Sequence, residues 1–103
     1  MHACYVTSQK TWEEIGRFGK QGRAPGLFNF PSGVAIDGGN NFLVADAKNN
    51  RIQLFDRLGK FQCVLQLETP AVFTSDIYLS YDGELMVVGR KNHFVQIYKL
   101  APL

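Results

Sequence analysis

At 103 residues, with 46% hydrophobic and 13% aromatic side chains, the chain has room for one modest domain and is too apolar for disorder. A formal charge of +2 creates no global field towards nucleic acid or membrane, so any such role must come from how charge is distributed. No run of about 18 apolar residues exists, and MHACYVTSQK lacks the basic head and apolar stretch of a secretory signal, so neither a membrane span nor a signal peptide is expected.

Read in chain order, residues 1–27 suggest the last strands of one unit followed by a linker. ACYV and TWEEIGRF suit outer strands, and no stretch has a convincing helical period. From there the sequence repeats. Phe30–Asp56 aligns with Phe73–Lys99 at a constant offset of 43, without a gap. Phe30/Phe73, Ser32/Ser75, Val44/Val87, Lys48/Lys91, Asn49/Asn92 and Gln53/Gln96 are identical pairs. Apolar character is kept at Val34/Ile77, Ile36/Leu79, Leu43/Met86, Ile52/Val95, Leu54/Ile97 and Phe55/Tyr98. Chance does not keep so many apolar positions in phase.

The first copy reads as short strands and turns. GVAI is a strand, and DGGNN is turn chemistry, because Gly and Asn tolerate positive φ. FLVAD is the next strand, AKNN a loop, and RIQLFD a half-buried strand with Gln out of phase with Ile and Leu. RLGK then turns into FQCVLQL. The second copy follows with DIYL, YDGE, LMVV, GRKNH and FVQIYKL. The units are therefore 28–69, complete, and 70–103, degenerate and lacking its own fourth strand. Four strands in about 40 residues is the arithmetic of a β-propeller blade. The predicted fold is all-β, a partial propeller of about two four-stranded antiparallel blades, with the innermost strand of each apolar and buried on both faces.

The ring is incomplete, since propellers close with about four to eight blades. Three explanations stand: the remaining blades belong to a longer chain, copies associate head to tail, with TWEEIGRF of one finishing the last blade of another, or the open piece folds poorly alone. An open piece exposes apolar sides and a strand edge.

GRFGKQGRAPGLFNFPSGVAID and VADAKNNRIQLFDRLGKF resemble the linker, first strand and V-A-D-x-x-N-x-R-I signature of NHL repeats, the propeller repeats of tripartite-motif proteins. The resemblance runs from Gly16 to Leu103. The second copy departs from it: Gly89 stands in place of Asp46, Phe94 of Arg51 and Thr74 of Pro31. Its end is similar to the propellers of brain-tumour-type translational repressors. The resemblance implies a non-catalytic recognition surface for protein or RNA. It also implies the recruiting end of a ubiquitin ligase or translational repressor, although no RING or B-box motif is present.

Asp46, Asn49 and Arg51 form the signature. Asp46 is placed to accept loop N–H groups in an Asx-turn. Asn49 or Asn50 suits a left-handed φ. Arg51 can reach Asp46 or a carbonyl of the neighbouring blade. Loss of both charges in the second copy argues for a structural stitch rather than catalysis.

No enzyme, metal site or cofactor is expected. The only histidines, His2 and His93, sit in a terminus and a loop, and no paired-His spacing offers zinc a site. GRFGKQGRAPG is not a phosphate loop, and Asp82 and Glu84 belong to a turn. Cys4 and Cys63 show no metal or redox spacing and are expected to be reduced, semi-buried thiols of a cytoplasmic protein.

Charge sorts by propeller face. Linkers and the loops after second strands carry Arg17, Lys20, Arg23, Lys48, Arg51, Arg90 and Lys91 against Asp46 and Glu68. The opposite turns carry Arg57 and Lys60 against Asp37, Asp56, Asp82 and Glu84. The first face is therefore basic, and Phe18, Phe28, Phe30, Phe73 and Phe94 lie in its loops. It can hold a phosphate backbone and stack bases of single-stranded RNA, or bind an acidic protein. Alternatively its phenylalanines anchor linkers in the core and its cations are merely solvated. The expected binding residues are Arg17, Lys20, Arg23, Lys48, Arg90 and Lys91.

Overall fold

A computed structural model describes residues 3–7, 14–65, 74–80, 82–89 and 95–99. Among them every regular element is a strand except one short 3-10 turn, Ala47–Asn49. The strands are β1 (Cys4–Thr7), β2 (Glu14–Phe18), β3 (Pro31–Ile36), β4 (Phe42–Asp46), β5 (Arg51–Phe55), β6 (Phe61–Val64), β7 (Thr74–Leu79), β8 (Glu84–Gly89) and β9 (Val95–Lys99). They build a hairpin, β1-β2, a four-stranded sheet in the order β3-β4-β5-β6, and a three-stranded sheet, β7-β8-β9. All pairings are antiparallel. These are meandering blades of an open, partial propeller, as the repeat predicts.

Turn chemistry sets the register. Asp37 turns the chain between β3 and β4, its Oδ1 accepting the N–H groups of Gly39 and Asn41. Asn40 there has φ 64°, a conformation its short polar side chain tolerates. Asp56 does the same between β5 and β6, accepting from Leu58 and Lys60. Gly59 in that turn has φ 83°, and a Cβ on it would sit 3.0 Å from Phe18, so only glycine suits both conformation and space.

Cross-strand pairing then decides which side chains share a face. Val34 pairs with Val44 and Val44 with Gln53, while Ile36 pairs with Phe42 and Phe42 with Phe55. That face meets the β1-β2 hairpin. Phe28, Val44 and Phe55 form its buried centre, with Cys4, Phe18, Phe42 and Phe61 packed around them. The Phe18 ring lies 4.8 Å from that of Phe55 and 5.4 Å from that of Phe42. The opposite face carries Leu43, Ala45, Ile52 and Leu54, which pack on Ile77, Leu85 and Val87 of the next sheet. Each fully buried aliphatic or phenylalanine side chain contributes about 1.5–3 kcal/mol of transfer free energy. The four-stranded blade is thus the middle layer of a stack of three.

One expectation fails. β3, the innermost strand, is not buried on both faces: Val34 is 53% and Ile36 57% exposed. The hairpin shields the outer strands of that blade face but leaves the inner strand open. The inner edges of β3 and β7 lie side by side and line an open concavity of about 380 Å³.

Candidate functional site

Asp46 closes β4, opposite Arg51 on β5. Its carboxylate is fully buried, yet every donor around it is engaged. Oδ1 accepts the Asn29 N–H at 2.6 Å. Oδ2 accepts from Asn49 Nδ2 at 2.9 Å, Arg51 Nε at 2.9 Å and Gln53 Nε2 at 3.2 Å. Each of these donors also grips the linker that precedes β3. Arg51 Nη2 donates to the carbonyls of Ala24 and Leu27, both at 2.9 Å. Asn49 Nδ2 donates to Gly22 O, and Gln53 Nε2 to Leu27 O. Gln53 Oε1 accepts the Gly26 N–H at 2.8 Å. The cluster fastens residues 22–29 over the β4–β5 loop. Its carboxylate accepts four hydrogen bonds from groups of the protein itself, three of them on Oδ2, as a fastening does.

Two details of the sequence reading change. Asp46 makes no Asx-turn, since its side chain does not cap the 3-10 turn that follows; it reaches instead to Asn29, 17 residues upstream. The loop turns without it because Asn50 takes the left-handed conformation, at φ 54°. Arg51 reaches Asp46, the first of its two expected partners, and its further acceptors are carbonyls of the blade's own linker rather than of a neighbouring blade. Gln53 was missed as a member. The signal was there, since Gln53 and Gln96 repeat at a place where a strand otherwise turns an apolar face inward. In the second copy Gly89 replaces the aspartate, and Gln96 is buried with Oε1 unpartnered among the described residues.

The stitch presents the basic residues. Lys20 and Arg23 lie exposed on the linker, Lys48 on the turn, and Arg17 on β2. The Lys48 N–H donates to Asn29 O at 3.1 Å, which ties turn and linker together. Arg90 and Lys91 lie outside the described residues, as do Phe73 and Phe94. The phenylalanines divide. Phe28 is fully buried and Phe18 packs on it, so these two anchor the linker. Phe30 is 47% exposed, at φ 57°, where a bulky side chain is rarely found. Lys48 Nζ sits 4.1 Å from its ring centroid, a cation–π contact.

The thiols differ from expectation in one respect: Cys4 is half-buried, but Cys63 is exposed. Burial pushes the Cys4 thiol up to about 11. At neutral pH a maleimide or disulfide reagent will therefore label Cys63 first, and Cys4 will react appreciably only as pH approaches that value, because the thiolate is the nucleophile. Equal labelling rates at pH 7 would contradict the burial of Cys4.

Four antiparallel strands in meander order, with the inner strand beside that of the next sheet, define a β-propeller blade. Residues 28–55 match the NHL repeat, and the chain carries an NHL-repeat domain. It is 33% identical over 88 residues to Protein brain tumor of Drosophila melanogaster, covering 80% of this chain and 8% of that protein. It is 48% identical over 46 residues to B-box type zinc finger protein ncl-1 of Caenorhabditis elegans, covering 45% and 5%. It is 33% identical over 79 residues to NHL repeat-containing protein 3 of Homo sapiens, covering 72% and 22%. The chain thus spans under a quarter of the length of each of these relatives.

Proposed function

We propose that the linker face is a non-catalytic recognition surface that takes single-stranded RNA. The observation that carries this reading is the exposure of Lys20, Arg23 and Lys48 on one stitched linker and turn, with Phe30 held outward beside Lys48. Cations on the linker meet phosphates, and an exposed ring offers a base a stacking platform. Phe30 keeps a costly backbone conformation, as residues at recognition sites often do. An acidic protein is the second reading, favoured by the same cations but giving Phe30 no particular work. In a longer cytoplasmic protein of the tripartite-motif kind, this face would bring RNA or a protein substrate to domains elsewhere.

The test is filter binding of the chain to random single-stranded RNA across a salt series. Affinity will fall steeply with salt. Charge reversal at Lys20, Arg23 and Lys48 together will lower the slope of log affinity against log salt by about 2, from roughly 0.7 per phosphate contact on single strands. Phe30→Ala will weaken binding by about 1–3 kcal/mol. Unchanged RNA binding in the triple variant removes the basic face from consideration. No RNA binding, with a salt-sensitive acidic partner instead, transfers the face to the protein reading.

A further inference from the structure

The 43-residue repeat makes the two sides of this chain complementary to each other. Blade one turns Ala35, Leu43, Ala45, Ile52 and Leu54 towards blade two, which covers them. At the same repeat positions blade two carries Tyr78, Met86, Val88, Val95 and Ile97, which share the outward face of β7–β9 by register. Tyr78 is 65% and Ile97 61% exposed. On the other side, the exposed Val34 and Ile36 of β3 are the repeat equivalents of Ile77 and Leu79, which lie on the covering face of blade two. One side is an open receiving face; the other is a covering face open at β3, with its outer strands packed on the β1-β2 hairpin.

The strands carry the same asymmetry. Blade one has four, whereas β7-β8-β9 has three among the described residues. β2 lies at the outer position against blade one and pairs with β1.

We propose that a second copy of this chain seats on the outward face of β7–β9, covering it with its β3 side and adding its β2 to the edge of β9. The incoming β2 takes the place that β6 holds in blade one and completes a four-stranded blade. β1 gives up its place beside β2 to β9, an exchange of one antiparallel pair for another. The contact is heterologous: each copy uses different surfaces to give and to receive. A β9 edge without a partner strand among the described residues and an apolar face, the two features that favour association, are satisfied together.

Light scattering on size-exclusion fractions of the 103-residue chain, over a concentration series, tests this. Wild type will associate above the 11.6 kDa of one chain. Ile97→Glu and Ile36→Glu, both at exposed positions, will each be monomeric with unchanged circular dichroism. Mixed, these two variants will form a species of twice the chain mass and nothing larger, because one intact giving face meets one intact receiving face. Removing residues 1–7 will raise the associated fraction. Should Ile97→Glu unfold, Tyr78→Lys serves in its place. A wild type that stays monomeric at its solubility limit overturns the proposal. So does association that persists in the single variants, or a mixture that yields no dimer.

Discussion

Asp46→Ala will cost about 3–5 kcal/mol of folding free energy, the range for breaking a buried ion pair by removing one partner. The substitution strands more than a charge. Arg51, whose side chain is 16% exposed, loses its counter-ion, and Asn49, Gln53 and the Asn29 N–H lose an acceptor at once. Because those donors also hold carbonyls of residues 22–29, the linker loosens with them. A domain of this size has about 5–15 kcal/mol in all, and each kcal/mol moves its midpoint by about 4–8 °C. The variant will therefore melt at least roughly 12 °C lower. Arg51→Ala will cost less, about 1–3 kcal/mol, since the carboxylate keeps three donors and the guanidinium leaves from a partly wet site. Urea unfolding followed by circular dichroism checks both. A cost below about 1 kcal/mol for Asp46→Ala would mean that water replaces the stitch and that the cluster is not what fastens the linker.

The strands and the stitch were not equally legible. Strand positions follow from the offset of 43 and from alternation, because burial on one face imposes period two on the sequence. Asp46, Asn49 and Arg51 are legible as a group for a similar reason: polar residues around one strand end, whose two charged members are lost together from the second copy while Asn49 recurs as Asn92. Their partners are not, because Asn29, Gly26 and Leu27 contribute only backbone atoms, which no side chain advertises. Gln53 is half-legible, through its repetition at Gln96. What the sequence misjudged most is β3. Its apolar residues read as doubly buried, but burial depends on what lies beyond the hairpin, and local pattern carries no information about that. The phenylalanines show the same limit. Phe28 and Phe30 look alike in sequence, yet one is sealed in the core and the other stands outward at positive φ.

Gly33 carries the second large effect, and it acts between blades rather than within one. A Cβ at this position would lie 3.2 Å from the Ile77 backbone nitrogen and 3.3 Å from Asp76 Cα. Backbone cannot turn aside as a side chain can, and Asp76 Oδ1 is itself held by the Ile77 N–H at 2.8 Å. Gly33→Val therefore forces β3 and β7 apart and loosens the cluster of Leu43, Ile52, Leu54, Ile77 and Leu85 that joins the blades. Overpacking of this kind costs about 1–3 kcal/mol, and more where the obstacle is rigid. Native-state hydrogen exchange will show the consequence by location: amides of β7 and β8 lose protection while the β4–β5 ladder keeps most of its own. Gly38→Ala is the control, as nothing lies within 4 Å of its added methyl group. Asp76→Ala in the Gly33→Ala background will recover only part of the loss, because it removes the carboxylate from the contact and leaves the main chain where it was. Full recovery would place the obstruction in the side chain alone and leave the blades free to separate; equal loss of protection across both sheets would mean that the two blades unfold as one unit.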